Sequence, residues 1–181
     1  MCIRDSYAEY LRRAIEEVST NQLTSESQQV MSADHPAEID LNLPTLFPDH
    51  YIPDVHTRLV LYKRVGGIKE LEVLYDLQLE TIDRFGLLPD QSKALFRIAN
   101  LKIKATKLGI NKITLDTRSG KLLFGPNVAV DPVRIVNLVS QNSGQYAMRG
   151  SSELDILAHL PETEARIEFI GHLLDQIAGQ I

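Results

Sequence analysis

The stretch KELEVLYDLQLETIDRFGLLPDQSKALFRIANLKIKATKLG, residues 69–109, reads as two consecutive helices with a stop and a start between them. From Lys69 to Phe85, Leu71, Leu74, Tyr75, Ile82 and Phe85 recur near the helical period and are expected to face inward. Gly86 stands where a left-handed C-terminal cap belongs, and Pro89 follows at the start of the next helix. Over Pro89–Leu108 the expected buried residues are Leu95, Ile98, Leu101, Ala105 and Leu108, and Gly109 ends the run. Upstream, Asp54 caps the first of three helices in chain order, with Val55, Leu59 and Tyr62 on one stripe, and Gly66-Gly67 terminates it.

Outside these helices the pattern changes. Glu38 to Leu43 alternates polar and apolar residues, as a strand with one buried face does. Pro44, Pro48 and Pro53 hold the following passage extended, because each fixes its own φ and keeps its predecessor out of the helical region. Ile110–Thr117 and Lys121–Phe124 read as a hairpin, with Gly120 supplying a positive φ to the turn. Asp131-Pro132 is a cap followed by a first-turn proline, opening a helix through Gln141. Tyr146–Arg149 and Glu153–Leu157 read as short strands. Pro161 opens a last helix with an apolar face of Ile167, Phe169, Ile170, Leu173, Leu174 and Ile177. Three consecutive helices flanked by strands imply an α+β fold, a small, mostly antiparallel sheet packed with about five helices.

Ahead of this domain, residues 1–36 divide into a foreign-looking start (Met1–Ser6), a helix over Tyr7–Val18 and a polar linker over Ser19–His35. The expected organisation is therefore the closing helix and linker of a missing upstream domain at 1–36, then a compact domain at 37–181. With 181 residues, 44% hydrophobic and 24% charged, the chain can bury a full core. A net charge of −5 argues against a nucleic-acid binder that uses its whole surface. One cysteine, Cys2, leaves no internal disulfide and fits a reducing cytoplasm. No apolar run reaches the roughly 18 residues of a membrane helix, so no membrane partner is expected.

Catalytic signatures are missing. There is no G-x-x-x-x-G-K-[ST], no G-x-G-x-x-G after a strand and no G-x-S-x-G elbow. His50, Asp54 and His56 are the nearest thing to a metal set, but Pro53 breaks their spacing and Asp54 is better used as a cap. The expectation is no catalytic residue, no metal and no small-molecule substrate. Two charged stripes remain. Glu72, Asp76, Glu80 and Asp83 share one face of the second helix, where like charges repel unless a cationic partner offsets them. Lys93, Arg97, Lys104 and Lys107 form a basic stripe on the third, a potential contact for phosphate backbone or for a neighbouring acidic helix.

Certain runs go further. EIDLNLP (38–44), FPDHYIPDVHTRLVLYKR (47–64), IDRFGLLP (82–89) and KLGI (107–110) closely resemble the C-terminal TRCF domain of the bacterial transcription-repair coupling factors, the Mfd family. The resemblance covers about residues 37–178. Gly66-Gly67 departs from the small Ala/Ser residues usual there, and implies a more flexible joint between two helices. In that family the parent is a cytoplasmic, ATP-driven double-stranded DNA translocase that displaces stalled RNA polymerase and recruits UvrA for excision repair. The resemblance implies that this domain is not itself an enzyme, with ATP and magnesium belonging to the parent's motor. It implies packing on a UvrB-like module of the same chain, which masks UvrA binding and restrains the motor. The family's acidic contacts carry over onto Glu80 and Asp83, with Asp76 and Glu72 as peripheral contributors. The alternative is an accessory DNA contact through Lys93, Arg97, Lys104 and Lys107.

Overall fold

The computed structural model describes residues 36–179, which form five strands and five helices. The reading of residues 1–35, including the Tyr7–Val18 helix, lies outside the described residues. In chain order the elements are β1 (Glu38–Asp40), α1 (Val55–Gly67), α2 (Leu71–Phe85), α3 (Asp90–Lys107), β2 (Ile110–Leu115), β3 (Ser119–Phe124), α4 (Pro132–Gln141), β4 (Tyr146–Arg149), β5 (Glu153–Leu157) and α5 (Thr163–Ala178). The strands form one sheet in the order β1-β2-β3-β5-β4. Only the β1–β2 pair is parallel; the other three pairs are antiparallel. The architecture is the expected α+β, with a mostly antiparallel sheet.

Register places Ile39, Ile113, Leu122 and Leu154 side by side across four strands. With period-two alternation, this puts the apolar residues on one face, where Ile113, Leu122 and Leu154 are fully buried. Helices α3 and α5 cover that face, and α4 packs on β4 and α5. The other face is open and charged, its side chains laddered by cross-strand pairs: Lys112–Glu38 at 3.0 Å, Lys121–Glu153 at 2.6 Å and Arg149–Asp155 at 2.9 Å.

Helix α3 holds the domain together because it is apolar on two sides. At about 100° per residue, Ala94, Leu101 and Ala105 fall on one side, with Phe96, Ala99 and Ile103 on the opposite one. The first set joins the sheet core with Ile167, Ile170 and Leu174. The second joins a separate cluster with Leu61, Val65, Leu74 and Leu77 from α1 and α2, plus Phe47 and Ile52 from the proline-rich strap. The strap is pinned by polar contacts as well. Phe47 N–H donates to the Tyr62 hydroxyl at 2.7 Å, Ser92 Oγ donates to the Leu46 carbonyl at 3.0 Å, and the Tyr51 hydroxyl donates to the Gly86 carbonyl at 2.7 Å.

Caps and stops fall close to expectation. Asp54 accepts from Thr57 N–H at 2.7 Å and Asp131 from Val133 N–H at 2.9 Å, with Pro132 in the first turn. Gly86 has positive φ (87°) but an extended ψ, so it ends α2 without the left-handed helical geometry. Three local expectations need correction. The stripe of α1 that starts at Val55 and Leu59 faces solvent (58% and 61% exposed), while Leu61 and Val65 face the core. Tyr75 is also exposed, since Leu74, Leu77 and Thr81 form the buried line of α2. Gly120 lies within β3, opposite Leu115, and is not at positive φ. It is required for close approach instead: a Cβ there would stand 2.5 Å from the Thr114 carbonyl oxygen.

Candidate interaction face

Helix α2 packs through Leu74 and Leu77 onto α3, so its opposite side is turned to solvent. Glu72, Asp76 and Asp83 project from that side and are exposed. Among the described residues these three carboxylates make no ion pair. Glu80 differs. Its Oε1 and Oε2 each accept from one guanidinium nitrogen of Arg64 on α1, at 2.8 and 2.6 Å, a two-pronged contact that only arginine makes. Arg84, one turn on, stands 3.6 Å away. The hydrogen bonds from Arg64, followed by its charge and that of Arg84, hold the Glu80 carboxyl below the usual glutamate range. Arg64 therefore ties α1 to α2 across a groove of about 800 Å³ lined by Val60, Lys63, Val73, Asp76 and Leu77. The pair joins residues 16 apart on different helices. No spacing rule on one helix anticipates it.

The basic stripe of α3 is distributed among neighbours. Lys93 pairs with Asp90 of its own helix at 2.9 Å. Arg97 contacts Glu164 and Glu168 on α5, and Lys104 reaches Asp175 on the same helix at 2.7 Å. Lys107 reaches Glu70, the residue before α2, at 2.9 Å. The stripe thus follows the seam where α3 meets its neighbouring elements, and all four cations face carboxylates of this domain.

The histidine set does not gather into a site. Asp54 spends its carboxylate on Thr57, accepting from both N–H and hydroxyl, and these bonds hold it below the usual aspartate range. Among the described residues no group of three His, Cys, Asp or Glu side chains comes together as a metal would need.

One polar residue escaped sequence reasoning. Arg166, on α5, is 6% exposed, and its Nη1 donates to the carbonyls of Leu41 at 2.8 Å and Asn42 at 3.1 Å. Its Nη2 reaches the Pro161 carbonyl at 3.4 Å, while Nε is buried without a partner. Asn42 sits at φ 52°, with its N–H on Asp40 and its amide on Asp116. Arg166 therefore clamps the exit of β1 to α5. Its place one turn before Ile170 and two before Leu173, on the apolar stripe of α5, was the sequence signal available.

The TRCF domain profile matches residues 41–135, more than half of the chain, from the exit of β1 into α4. The chain belongs to the TRCF domain family. It is 34% identical over 177 residues to the transcription-repair-coupling factor of Escherichia coli (strain K12), covering 94% of this chain and 15% of that protein. It is 34% identical over 143 residues to the Haemophilus influenzae protein of the same name, and 29% over 146 residues to that of Bacillus subtilis. The matches cover 79% and 80% of this chain, and 12% of each relative. The chain thus spans about 12–15% of the length of these relatives. Its fold is also that of a solved C-terminal domain of transcription-repair coupling factor, with TM-score 0.59 and 22% identity, covering 83% of this chain and 99% of the other.

Proposed function

We propose that this domain is the regulatory interaction module of a transcription-repair coupling factor. It packs on the UvrB-like module of its parent chain, masks the UvrA-binding surface and restrains an ATP-driven DNA translocase; the domain carries no catalysis of its own. ATP and magnesium belong to the motor, and RNA polymerase and duplex DNA are reached through the parent in the bacterial cytoplasm. The observation that supports this reading is the outer face of α2. Asp76 and Asp83 stand there without ion-pair partners among the described residues, with Glu72 beside them and Glu80 held in place by Arg64. Unpaired carboxylates on a rigid helix suit arginine-bearing partners, because each can accept a guanidinium fork without first breaking a contact at home. Exposed charge pairs add steering and specificity more than affinity, which suits a lock that must open.

The alternative, a DNA contact through Lys93, Arg97, Lys104 and Lys107, requires each cation to leave a carboxylate of this domain. The structure therefore favours the acidic face. The test is Asp76→Arg with Asp83→Arg in the full-length protein, which keeps both members of the Arg64–Glu80 contact. UvrA affinity rises if the face is the clasp, and unchanged affinity refutes the reading. Reversing Glu80 is a poorer test, since it would set a third arginine beside Arg64 and Arg84.

A further inference from the structure

Between the acidic side chains of α2 lies an apolar pair. Leu79 is 65% exposed and Tyr75 52% exposed, and they stand four residues apart, so they form one continuous strip along the helix. At about 100° per residue, Leu79 projects within about 60° of Glu72, Asp76 and Asp83, with Asp76 three residues before it and Asp83 four after. Leu79 belongs to neither apolar cluster of the domain. Tyr75 is held in place: its hydroxyl accepts from Asn100 Nδ2 at 3.2 Å, fixing the ring across the α2–α3 seam. Glu80 is occupied by Arg64 of α1 and does not compete for this strip.

We propose that Leu79 and Tyr75 are the apolar anchor of the docking face. They seat in a shallow apolar depression of a protein surface whose rim carries arginines that meet Asp76 and Asp83. The proposal rests on the reading of α2 as the surface that packs on the UvrB-like module, and adds the part of the contact that supplies affinity. Charge complementarity selects the partner's chemistry. The carboxylates run along one side of the strip, and a guanidinium can bind a carboxylate with its edge while stacking its plane on the Tyr75 ring, which an ammonium cannot do. An aliphatic and an aromatic side chain with charges beside them is a common anatomy of a binding hot spot. The carboxylates would guide encounter, and burial of Leu79 would set the lifetime of the closed state.

The experiment is UvrA binding by the full-length protein in four forms: unaltered, Leu79→Ser, Leu79→Met, and Asp76→Arg with Asp83→Arg. Because Leu79 lies outside both clusters, its variants should melt with the unaltered protein. Leu79→Ser should raise UvrA affinity about tenfold by weakening the closed state, and Leu79→Met, which keeps the apolar bulk, should leave it near the unaltered value. If the charge reversal opens the protein and Leu79→Ser does not, the anchor is overturned while the acidic docking face stands. If Leu79→Ser alone opens it, the anchor stands and the acidic reading falls. If neither does, both are overturned.

Discussion

Arg166 is buried, yet it donates three hydrogen bonds to backbone carbonyls: Leu41 and Asn42 at the exit of β1, and Pro161 before α5. Replacing it with alanine removes the donors and leaves the Leu41 carbonyl inside the domain. Hydrogen bonds from a charged donor contribute about 1.5–3 kcal/mol each, but three from one guanidinium do not add, and the 3.4 Å contact is weak. Against them stands the cost of the buried, unpartnered Nε, of the order of 1 kcal/mol or more, which the substitution relieves. The net expectation for Arg166→Ala is a loss of about 2–3 kcal/mol. Arg166→Met keeps the packing of the aliphatic stem and should cost about 1 kcal/mol less. Urea unfolding should show a lower midpoint at unchanged slope. For a domain of this size the loss corresponds to about 4–12 °C in Tm. A cost below about 0.5 kcal/mol for the alanine variant would refute the clamp, because it would mean that water or a relaxed loop satisfies those carbonyls equally well.

Three further outcomes follow from the geometry. Gly66→Ala and Gly67→Ala, where a Cβ meets nothing within 4 Å, should each stabilise the last turn of α1 by about 0.5–1 kcal/mol in urea unfolding. Gly109→Ala should do the reverse by about 2 kcal/mol or more, since φ is 73° and the new Cβ would stand 2.2 Å from the Asn127 carbonyl oxygen. Stability should fall in acid: Asp54, bonded by Thr57, and Asp116, bonded by Thr117 N–H and Asn42, both have carboxyls held below the ordinary aspartate value of 3.8. The unfolded chain then binds more protons, so their contribution is complete above that value and is lost as pH falls through the folded values; Asp54→Asn with Asp116→Asn should flatten the acid limb of a stability–pH curve.

How much was legible depended on how local each cause was. The strands β4 and β5, the caps at Asp54 and Asp131 and the broad apolar face of α5 were all readable, because their causes lie within one turn or one alternation. The acidic stripe on α2 was readable as a face, but its division into Asp76 and Asp83, without ion pairs among the described residues, and an occupied Glu80 was not, because Arg64 comes from another helix. The basic stripe of α3 looked like a surface and lies along a seam, since Arg97 and Lys104 meet α5, some 70 residues further along the chain. Tyr75 and the α1 stripe were misread for a shared reason: α1 and α2 each carry apolar residues on more than one side, and periodicity alone does not say which side the core takes.

The order of the elements, their starts and stops, the α+β class and the family were therefore determined by the sequence itself. Each depends on residue types a few positions apart, or on a long run of matched residues. The tertiary structure alone decided that α3 would be buried on two opposite sides, that β1 would lie parallel to β2, and which charges would neutralise each other. It also decided that Leu79 and Tyr75 would be left in water between carboxylates. These outcomes depend on which distant surfaces meet, and burial and ion pairing are properties of those meetings rather than of any one segment.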